Sequence, residues 1–250
     1  MTPSRLLAAL VLLVPAVAAG AATALQQQIK VLEHNVDQAF LQQYLHQNKQ
    51  KVHSAPGNMR AIAVRIVKAT GNAFSSNCHL YTVEEPHVNA LTSPAGNIFL
   101  YRGLIGAGLT DDEVAALLAH EVAHIVHLHW FERLKRNLEA QRLTEFTAKQ
   151  YGGASAQIAY LQTKLQHLHY DREEEFQADA TGLKLMVQAG FRPEGVISLL
   201  RKVKALQSPE QSAAEQNPYL ATHPGMDERV VKAQALIDSG QAKPAKKRLY

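Results

Sequence analysis

Apolar and polar residues show two different spacings in the first half of the chain. Over residues 25–51 the apolar side chains recur at helical spacing, which predicts an amphipathic N-terminal helix. Residues 61–68 instead alternate through Ile62, Val64 and Ile66, which is the pattern of a strand. The pattern therefore predicts a helix that is followed by sheet.

Two further segments, 79–91 and 97–102, also favour extended structure, and the turn sequence Ser-Pro-Ala-Gly-Asn separates them. Together with residues 61–68 they predict a small antiparallel sheet within residues 60–104.

The second half of the chain is predicted to be helical. Thr110 and Glu113 have the spacing of a capping box, so a helix is expected to begin there and to run to about His129, or to continue as far as Lys149. The later features expected are a break at Gly152-Gly153, a helix over 155–189 ending at Gly190, a helix from Pro193 to about Gln207 and a last helix after Pro224. The predicted fold class is α+β, mainly α, with catalytic helices over 110–190 and C-terminal helices over 193–238.

The first 24 residues are predicted to be a signal peptide. Arg5 supplies a positive start, Leu6 to Val14 form an unbroken apolar run, and Ala22-Thr23-Ala24 has the form of a cleavage site. A run of that length is too short to span a bilayer, although an uncleaved membrane anchor is the alternative. We therefore expect a periplasmic protein whose mature chain has no transmembrane helix, with peripheral membrane association left open.

The mature length suits one domain over 25–238, followed by a solvated basic tail over 239–250. Cys78 is the only cysteine, so an intramolecular disulfide is excluded, and a small buried side chain is expected there. The formal net charge of +4 falls by one when Arg5 leaves with the signal peptide. This balance predicts no nucleic-acid partner.

His120-Glu121-Val122-Ala123-His124 lies inside the predicted capped helix. Two histidines four residues apart lie about 40° apart on one helix face, so both imidazoles can reach one metal ion, while Glu121 projects beside the open coordination position. The flanking residues are apolar nearly all round, and burying these polar groups is costly unless something pairs with them. We interpret the motif as a zinc site; two core histidines bonded to a buried glutamate are the alternative.

The acidic segment 171–179 is expected to supply a third ligand, because a catalytic zinc ion needs three from the protein. Glu175 and Asp179 lie four residues apart on one helix face. One carboxylate can therefore bind the metal while the other accepts the free N–H of a ligating histidine. From spacing alone, Glu173 or Glu174 could compete for the metal.

Three ordered motifs resemble the HtpX and CAAX-prenyl-protease family of zinc metallopeptidases, particularly its soluble periplasmic branch. They are His120-Glu121-x-x-His124, Glu175-Phe-Gln-Ala-Asp179, and Thr222-His223-Pro224 with Arg229. The resemblance covers roughly residues 60–235 and implies a zincin-like domain with one zinc ion per chain.

By that resemblance His120, His124 and Glu175 hold the zinc, and Asp179 pairs with His120. It also brings His223 to the active site, where the ring covers the zinc or stabilises the tetrahedral intermediate. A histidine before a proline is otherwise more often a capping or surface residue. Arg229 is expected to pair with a carboxylate near the metal or with a neighbouring acid.

Two further interpretations concern residues around the motif. His127 and His129 lie near the predicted helix end, where cationic side chains suit the helix dipole, and we interpret them as structural. The segment Asn97, Ile98, Phe99 and Leu100 is expected either to form the sheet edge beside the cleft, receiving substrate as an added strand, or to be an ordinary interior strand.

The predicted function is that of a zinc-dependent endopeptidase in which Glu121 is the general base for a metal-activated water. The resemblance implies misfolded or unassembled proteins of the cell envelope as substrates. The alternative is a zinc-containing chaperone or adaptor with a shielded site and little proteolysis. A third hypothesis is a zinc hydrolase that acts on a small molecule, which would require a narrow pocket.

Overall fold

The computed structural model describes residues 19–48, 51–71, 78–151, 172–206 and 218–241. Its helices are α1 (Ala19–Asn48), α2 (Gly57–Ala69), α3 (Arg102–Ile105), α4 (Asp111–Val126), α5 (His129–Tyr151), α6 (172–188), α7 (Glu194–Ala205), α8 (Pro218–Thr222) and α9 (Met226–Asp238). Its strands are β1 (Val52–Ser54), β2 (Leu80–Val83), β3 (Ala90–Thr92) and β4 (Ile98–Tyr101). The predicted class, α+β and mainly α, is confirmed. None of the described helices is both long and apolar enough to cross a membrane.

The four strands form one mixed sheet in the order β1-β2-β4-β3. The β1–β2 and β3–β4 pairs are antiparallel, but β2 and β4 are parallel, so the expectation of an antiparallel sheet is corrected. The parallel pair arises because β3 and β4 form a hairpin and β4, the second strand of that hairpin, inserts beside β2. This leaves β1 and β3 at the two edges.

Strand β4 lies in the interior of the sheet, with β2 on one side and β3 on the other. Ile98, Phe99 and Leu100 are fully buried, as expected for an apolar run covered on both faces. The interpretation of residues 97–100 as a substrate-binding edge is therefore wrong, because both sides of the strand are already hydrogen-bonded to neighbours.

Residues 61–68 belong to helix α2, so the strand predicted there is also wrong. The buried residues are Ile62, Ala63 and Ile66, which have helical spacing, whereas Val64 is 67% exposed. Over so short a segment, an alternating apolar pattern fits both the helical period of about 3.6 residues and the strand period of two. The contacts of α2 with the rest of the core favour the helix.

Helix α4 is the central element of the core. Its N-terminus has the predicted capping box, with the Thr110 hydroxyl accepting from the N–H of Glu113 and the Glu113 carboxylate accepting from the N–H of Thr110. Every residue of α4 from Glu113 to Ile125 is buried. The helix ends at Val126, and Leu128, with φ of 55°, separates it from α5.

The remaining boundaries agree with the predictions where they can be compared. The N-terminal helix α1 ends at Asn48, α6 ends shortly before Gly190 (φ 82°), α7 follows Pro193 and α9 follows Pro224. Helix α8 was not predicted. The predicted features that lie outside the described residues are the signal segment over 1–18, the break at Gly152-Gly153, the part of the third predicted helix over 155–171 and the tail over 242–250.

Helix α1 packs across the β3–β4 hairpin. Its buried Asp37 accepts hydrogen bonds from the N–H of Ala95 at 3.0 Å and from the Asn97 side chain at 3.4 Å. The rings of Phe40 and Tyr44 contact the ring of Phe99, with centroids 6.2 and 4.7 Å apart. These contacts fix α1 against the turn of the hairpin.

Helix α6 approaches α4 closely at Gly182. A Cβ added at Gly182 would lie 3.1 Å from the carbonyl carbon of Ala119 and 3.1 Å from the backbone nitrogen of His120. The small residue Ala178, one turn earlier, is fully buried. The two helices therefore cross with their backbones almost in contact.

Glu113 also connects α4 to α7. Its carboxylate accepts hydrogen bonds from the hydroxyl of Ser198 at 2.5 Å and from the ammonium of Lys202 at 2.7 Å. Burial of the carboxyl raises its pKa, but these hydrogen bonds and the one from the backbone of Thr110 outweigh that effect and lower the pKa to about 2.

We expect Glu113→Gln to lower the free energy of unfolding by about 2 kcal/mol at neutral pH, because a charged hydrogen-bond acceptor is lost. The stabilisation by the wild-type carboxylate is present above its unfolded pKa, near 4.5, and is lost as the pH falls towards 2. Thermal unfolding of both proteins over that pH range should therefore show a difference that shrinks in acid. A difference that stays constant with pH would contradict the assignment.

We expect Gly182→Val to lower the free energy of unfolding by about 1–3 kcal/mol, because backbone atoms of α4 occupy the space that the new side chain needs. The matched control is Gly57→Val, since an added Cβ at Gly57 meets nothing within 4 Å. Denaturant unfolding measures both changes. Equal effects at the two glycines would show that the helix crossing is not tightly packed.

Candidate metal centre

The two histidines of α4 lie one turn apart and face the same way. Both are buried, and their Nε2 atoms are 3.0 Å apart. This is the geometry expected from their spacing in the sequence. The Nδ1 atoms point away from each other, towards different partners.

Helix α6 brings Glu175 against this pair. The Oε2 atom of Glu175 lies 3.2 Å from His120 Nε2, and its Oε1 atom lies 3.3 Å from His124 Nε2. The side chain is fully buried. The competing candidates lie elsewhere: Glu174 pairs with Arg133 and Arg136, at 3.1 and 2.6 Å, and Glu173 is exposed.

His223, on the loop between α8 and α9, completes the cluster. Its Nδ1 atom lies 3.0 Å from Glu175 Oε2 and 3.2 Å from His120 Nε2. One donor atom from each of His120, His124, Glu175 and His223 lies within 4.8 Å of the other three. We call these four residues the ligand cluster.

The ligand cluster fits a small divalent cation. Zinc held at 2.0–2.1 Å in a tetrahedron requires ligand atoms about 3.3 Å apart. The contacts of His120 with His124, Glu175 and His223, and those of Glu175 with His124 and His223, measure 3.0 to 3.3 Å. Imidazole lone pairs and carboxylate oxygens repel each other at this distance unless a proton or a cation lies between them. Oε1 of Glu175 is buried and makes no hydrogen bond in the described part of the chain.

A second layer of contacts supports His120. Its Nδ1 atom lies 3.0 Å from Oδ1 of Asp179, the pairing expected from the sequence. The fully buried guanidinium of Arg229 donates two 2.7 Å hydrogen bonds to Asp179, and its Nη1 lies 2.9 Å from Glu175 Oε2. Arg229 therefore joins the two carboxylates of α6 rather than a neighbouring acid on α9.

The same contacts decide the charges of these acids. Burial raises the pKa of Asp179, but the Arg229 guanidinium and the hydrogen bonds from Arg229 and His120 outweigh burial and lower the pKa to about 2. The pKa of Glu175 is also held well below its usual range, because the positive charges of His223, His120 and Arg229 oppose the effect of burial. Both carboxylates are therefore anionic at neutral pH.

The pKa values of His120 and His124 are shifted in opposite directions. Burial and the charge of Arg229 lower the pKa of His120, but the carboxylates of Glu175 and Asp179 outweigh them and raise it to about 9. Burial and the adjacent positive His120 hold the pKa of His124 well below its usual value.

Glu121 lies beside the cluster and faces a cleft. Its Oε2 atom accepts a hydrogen bond from the hydroxyl of Thr92 at 2.5 Å, and its Oε1 atom lies 3.6 Å from Nε2 of His223. Oε1 is buried and makes no hydrogen bond among the described residues. No sequence pattern indicates Thr92, because its approach to α4 depends on how the sheet packs.

The cleft has a volume of about 560 Å³ and ends at Glu121, His124 and His223. Its walls are formed by α1, by the loop and strand around β3, and by the start of α5. The wall residues are Val36, Phe40, Asn89, Ala90, Leu91, Thr92, Ser93, Pro94, Ile125, His129, Trp130, Arg133, Leu134, Asn137 and Thr222. The edge strand beside the metal cluster is therefore β3, in place of the segment 97–100 expected from the sequence.

His127 and His129 differ in their surroundings. His127 contacts the hydroxyl of Thr181 at 2.8 Å and connects α4 to α6, as a structural residue would. His129 is only 3% exposed, and its Nδ1 atom lies 2.7 Å from Nδ1 of His124. Both are interpreted from the sequence as structural residues near a helix end; the sharp turn at Leu128 brings His129 against His124.

Comparisons with known proteins identify the family of this domain. Peptidase family M48 matches residues 55–237, a range that includes the whole ligand cluster. The chain is 28% identical over 180 residues to the mitochondrial metalloendopeptidase OMA1 of Schizosaccharomyces pombe, covering 72% of this chain and 52% of that protein. It is 27% identical over 183 residues to the beta-barrel assembly-enhancing protease of Yersinia pestis, covering 66% of this chain and 36% of that protein.

A further relative is the beta-barrel assembly-enhancing protease of Escherichia coli K12, at 21% identity over 188 residues, covering 70% of this chain and 37% of that protein. The matches thus cover about half or less of the length of these relatives. The family resemblance inferred from the three motifs is confirmed: the chain belongs to peptidase family M48, a family of metallopeptidases.

Proposed function

We propose that this chain is a zinc-dependent endopeptidase in which His120, His124 and Glu175 hold the metal. The observation that carries the proposal is the convergence of two Nε2 atoms and one buried carboxylate, with separations of 3.0 to 3.3 Å, next to a second carboxylate that faces a cleft. A metal bound by two histidines and one glutamate, with a glutamate beside it, is suited to peptide hydrolysis.

Zinc is the metal that this donor set favours, because two imidazoles and one carboxylate form a common catalytic zinc site. When bound, zinc would act as a Lewis acid that polarises the scissile carbonyl and makes water more acidic. The chain's own contribution is the fixed geometry of the donors. Asp179 and Arg229 supply it by holding the ring of His120 and the carboxylate of Glu175 in place.

Glu121 is proposed as the general base. The hydroxyl of Thr92 fixes one of its carboxylate oxygens and leaves the other free at the end of the cleft. That free oxygen accepts a proton from the attacking water and then returns it to the departing amine. Nε2 of His223 faces the same side and is proposed to stabilise the developing oxyanion.

The edge strand β3 is proposed to bind the substrate backbone. It pairs with β4 on one side only, and its residues Ala90, Leu91 and Thr92 line the cleft next to Glu121. A peptide that adds to this edge is held through its main chain, so its sequence matters little. This mode of binding suits unfolded segments of many different proteins.

Misfolded or unassembled proteins of the cell envelope are the proposed substrates, and the periplasm is the proposed location. The apolar run and cleavage-site pattern of the first 24 residues support export. Two of the relatives are named as proteases that enhance beta-barrel assembly, which supports protein substrates of this class.

A shielded zinc chaperone or adaptor is the second candidate function, and the position of His223 favours it. If Nδ1 of His223 also binds the metal, the metal has four protein ligands. A fourfold protein-ligated zinc site is closed and serves structure rather than catalysis. The two candidates differ in whether the purified protein cleaves the unfolded chains that it binds.

We expect Glu121→Gln to reduce cleavage of an unfolded protein such as casein by about 100-fold or more while zinc stays bound, because only the proton acceptor is lost. Activity and zinc content are measured on the same preparations. Glu113→Gln is the matched control, since it neutralises a buried carboxylate of the same helix outside the cleft. It should keep its activity at temperatures where it stays folded.

Unaltered cleavage by Glu121→Gln would refute the assignment of the base. A wild-type protein that contains stoichiometric zinc and binds casein without cutting it would favour the chaperone instead. Absence of zinc from the wild type after exposure to the metal would contradict both candidates.

A further inference from the structure

The two ring nitrogens of His124 have different surroundings. Nε2 faces the ligand cluster, 3.0 Å from His120 Nε2 and 3.3 Å from Glu175 Oε1. Nδ1 faces away from the cluster and lies 2.7 Å from Nδ1 of His129. An imidazole that binds a metal through Nε2 carries its hydrogen on Nδ1, and this hydrogen needs an acceptor.

His129 is placed to be that acceptor. Its other ring nitrogen, Nε2, lies 2.9 Å from Oε1 of Gln177 on α6, an oxygen that can only accept. The hydrogen of a neutral His129 ring is therefore on Nε2, which leaves a lone pair on Nδ1. Both contacts are satisfied when His124 donates from Nδ1 to His129 and His129 donates from Nε2 to Gln177. The opposite direction sets the His129 lone pair against the Gln177 oxygen and puts a hydrogen on the metal-facing nitrogen of His124.

A strained backbone conformation at Leu128 brings His129 to this position. In a continuous helix, residues 124 and 129 would lie about 140° apart, on different faces. Leu128 interrupts the helix with φ of 55°, and within the described ranges it is the one residue other than glycine with a positive φ. That conformation costs about 1–2 kcal/mol for a residue with a side chain, and strained backbone of this kind is concentrated at functional sites.

The geometry points to His129 as a positioning residue, which fixes the tautomer and the ring orientation of His124, with Gln177 as its anchor. This inference rests on the proposed function, because it takes His124 to be a metal ligand. The two ligand histidines of α4 then have separate supports. The anionic Asp179 holds His120, and the neutral ring of His129 holds His124.

Two variants of His129 separate this role from simple space filling. In His129→Asn, the side-chain oxygen takes the place of ring Nδ1 and can still accept from His124. In His129→Gln, the longer amide reaches the place of ring Nε2, beside Gln177, and leaves the hydrogen of His124 without its acceptor. Zinc affinity is measured by competition with a chromophoric chelator, and the absorption spectrum of bound Co²⁺ reports the ligand geometry.

We expect His129→Gln to bind zinc about 10-fold to 100-fold more weakly than the wild type, whereas His129→Asn stays within about threefold of it. The Co²⁺ spectrum should change in the Gln variant and not in the Asn variant. Melting of the metal-free proteins checks that both variants remain folded. A loss of affinity that the Asn variant restores is the result that a merely structural role does not produce.

His127→Asn is the matched control. The ring of His127 stacks on that of His129, with centroids 5.4 Å apart, but its hydrogen bond goes to Thr181 and not to a proposed ligand. Its zinc affinity should equal that of the wild type. Equal affinity losses in the Asn and Gln variants of His129, or an equal loss in His127→Asn, would overturn the inference. A wild-type protein that binds no zinc would instead refute the proposed metal site.

Discussion

The close crossing of α4 and α6 is the constraint on which the whole site depends. Helix α4 carries two histidines and a glutamate, and α6 carries the two carboxylates that meet them. Their polar atoms converge where the two helices pack closely. Gly182 permits that approach against Ala119 and His120. The capping box at Thr110 and the ion pair of Glu113 with Lys202 then fix α4 within the core.

Charge balance explains why so many ionisable groups can be buried together. Glu175 and Asp179 are anionic, and Arg229 neutralises one of these two charges. Burial and the charge of Arg229 lower the pKa of His120, but the carboxylates of Glu175 and Asp179 outweigh them. The buried arginine thus sets the charge of the centre as well as its geometry.

The parts of this arrangement that could be predicted from sequence are local. The capping box and the two histidines on one face of α4 follow from helical spacing. Spacing also relates Glu175 to Asp179, but it leaves Glu173 and Glu174 as competitors, and the family motifs decide between them. Three ordered motifs added His223 and Arg229, which no periodicity indicates. The two predictions that failed, a strand at 61–68 and a sheet edge at 97–100, depend on contacts between distant segments. The apolar residues of 61–68 fit the repeat of a helix as well as that of a strand. The interior position of β4 follows from its pairing with β2.

His129 shows a different limit of sequence analysis. In an uninterrupted helix, His129 would lie on a different face from His124. The left-handed conformation of Leu128, which brings the two rings together, is not indicated by the residue type. The contact between His124 and His129 therefore becomes visible only in three dimensions. Thr92 and Gln177 are similar cases, because each meets its partner across two elements that are far apart in the chain.

Helix α1 gives the cleft a wall that the family match does not include. The matched region begins at residue 55, whereas Val36 and Phe40, which line the cleft, precede it. Asp37 ties this wall to the hairpin turn by accepting a hydrogen bond from the N–H of Ala95. Substitutions at Val36 and Phe40 would therefore reshape the cleft while leaving the ligand cluster, which lies on other helices and loops, in place.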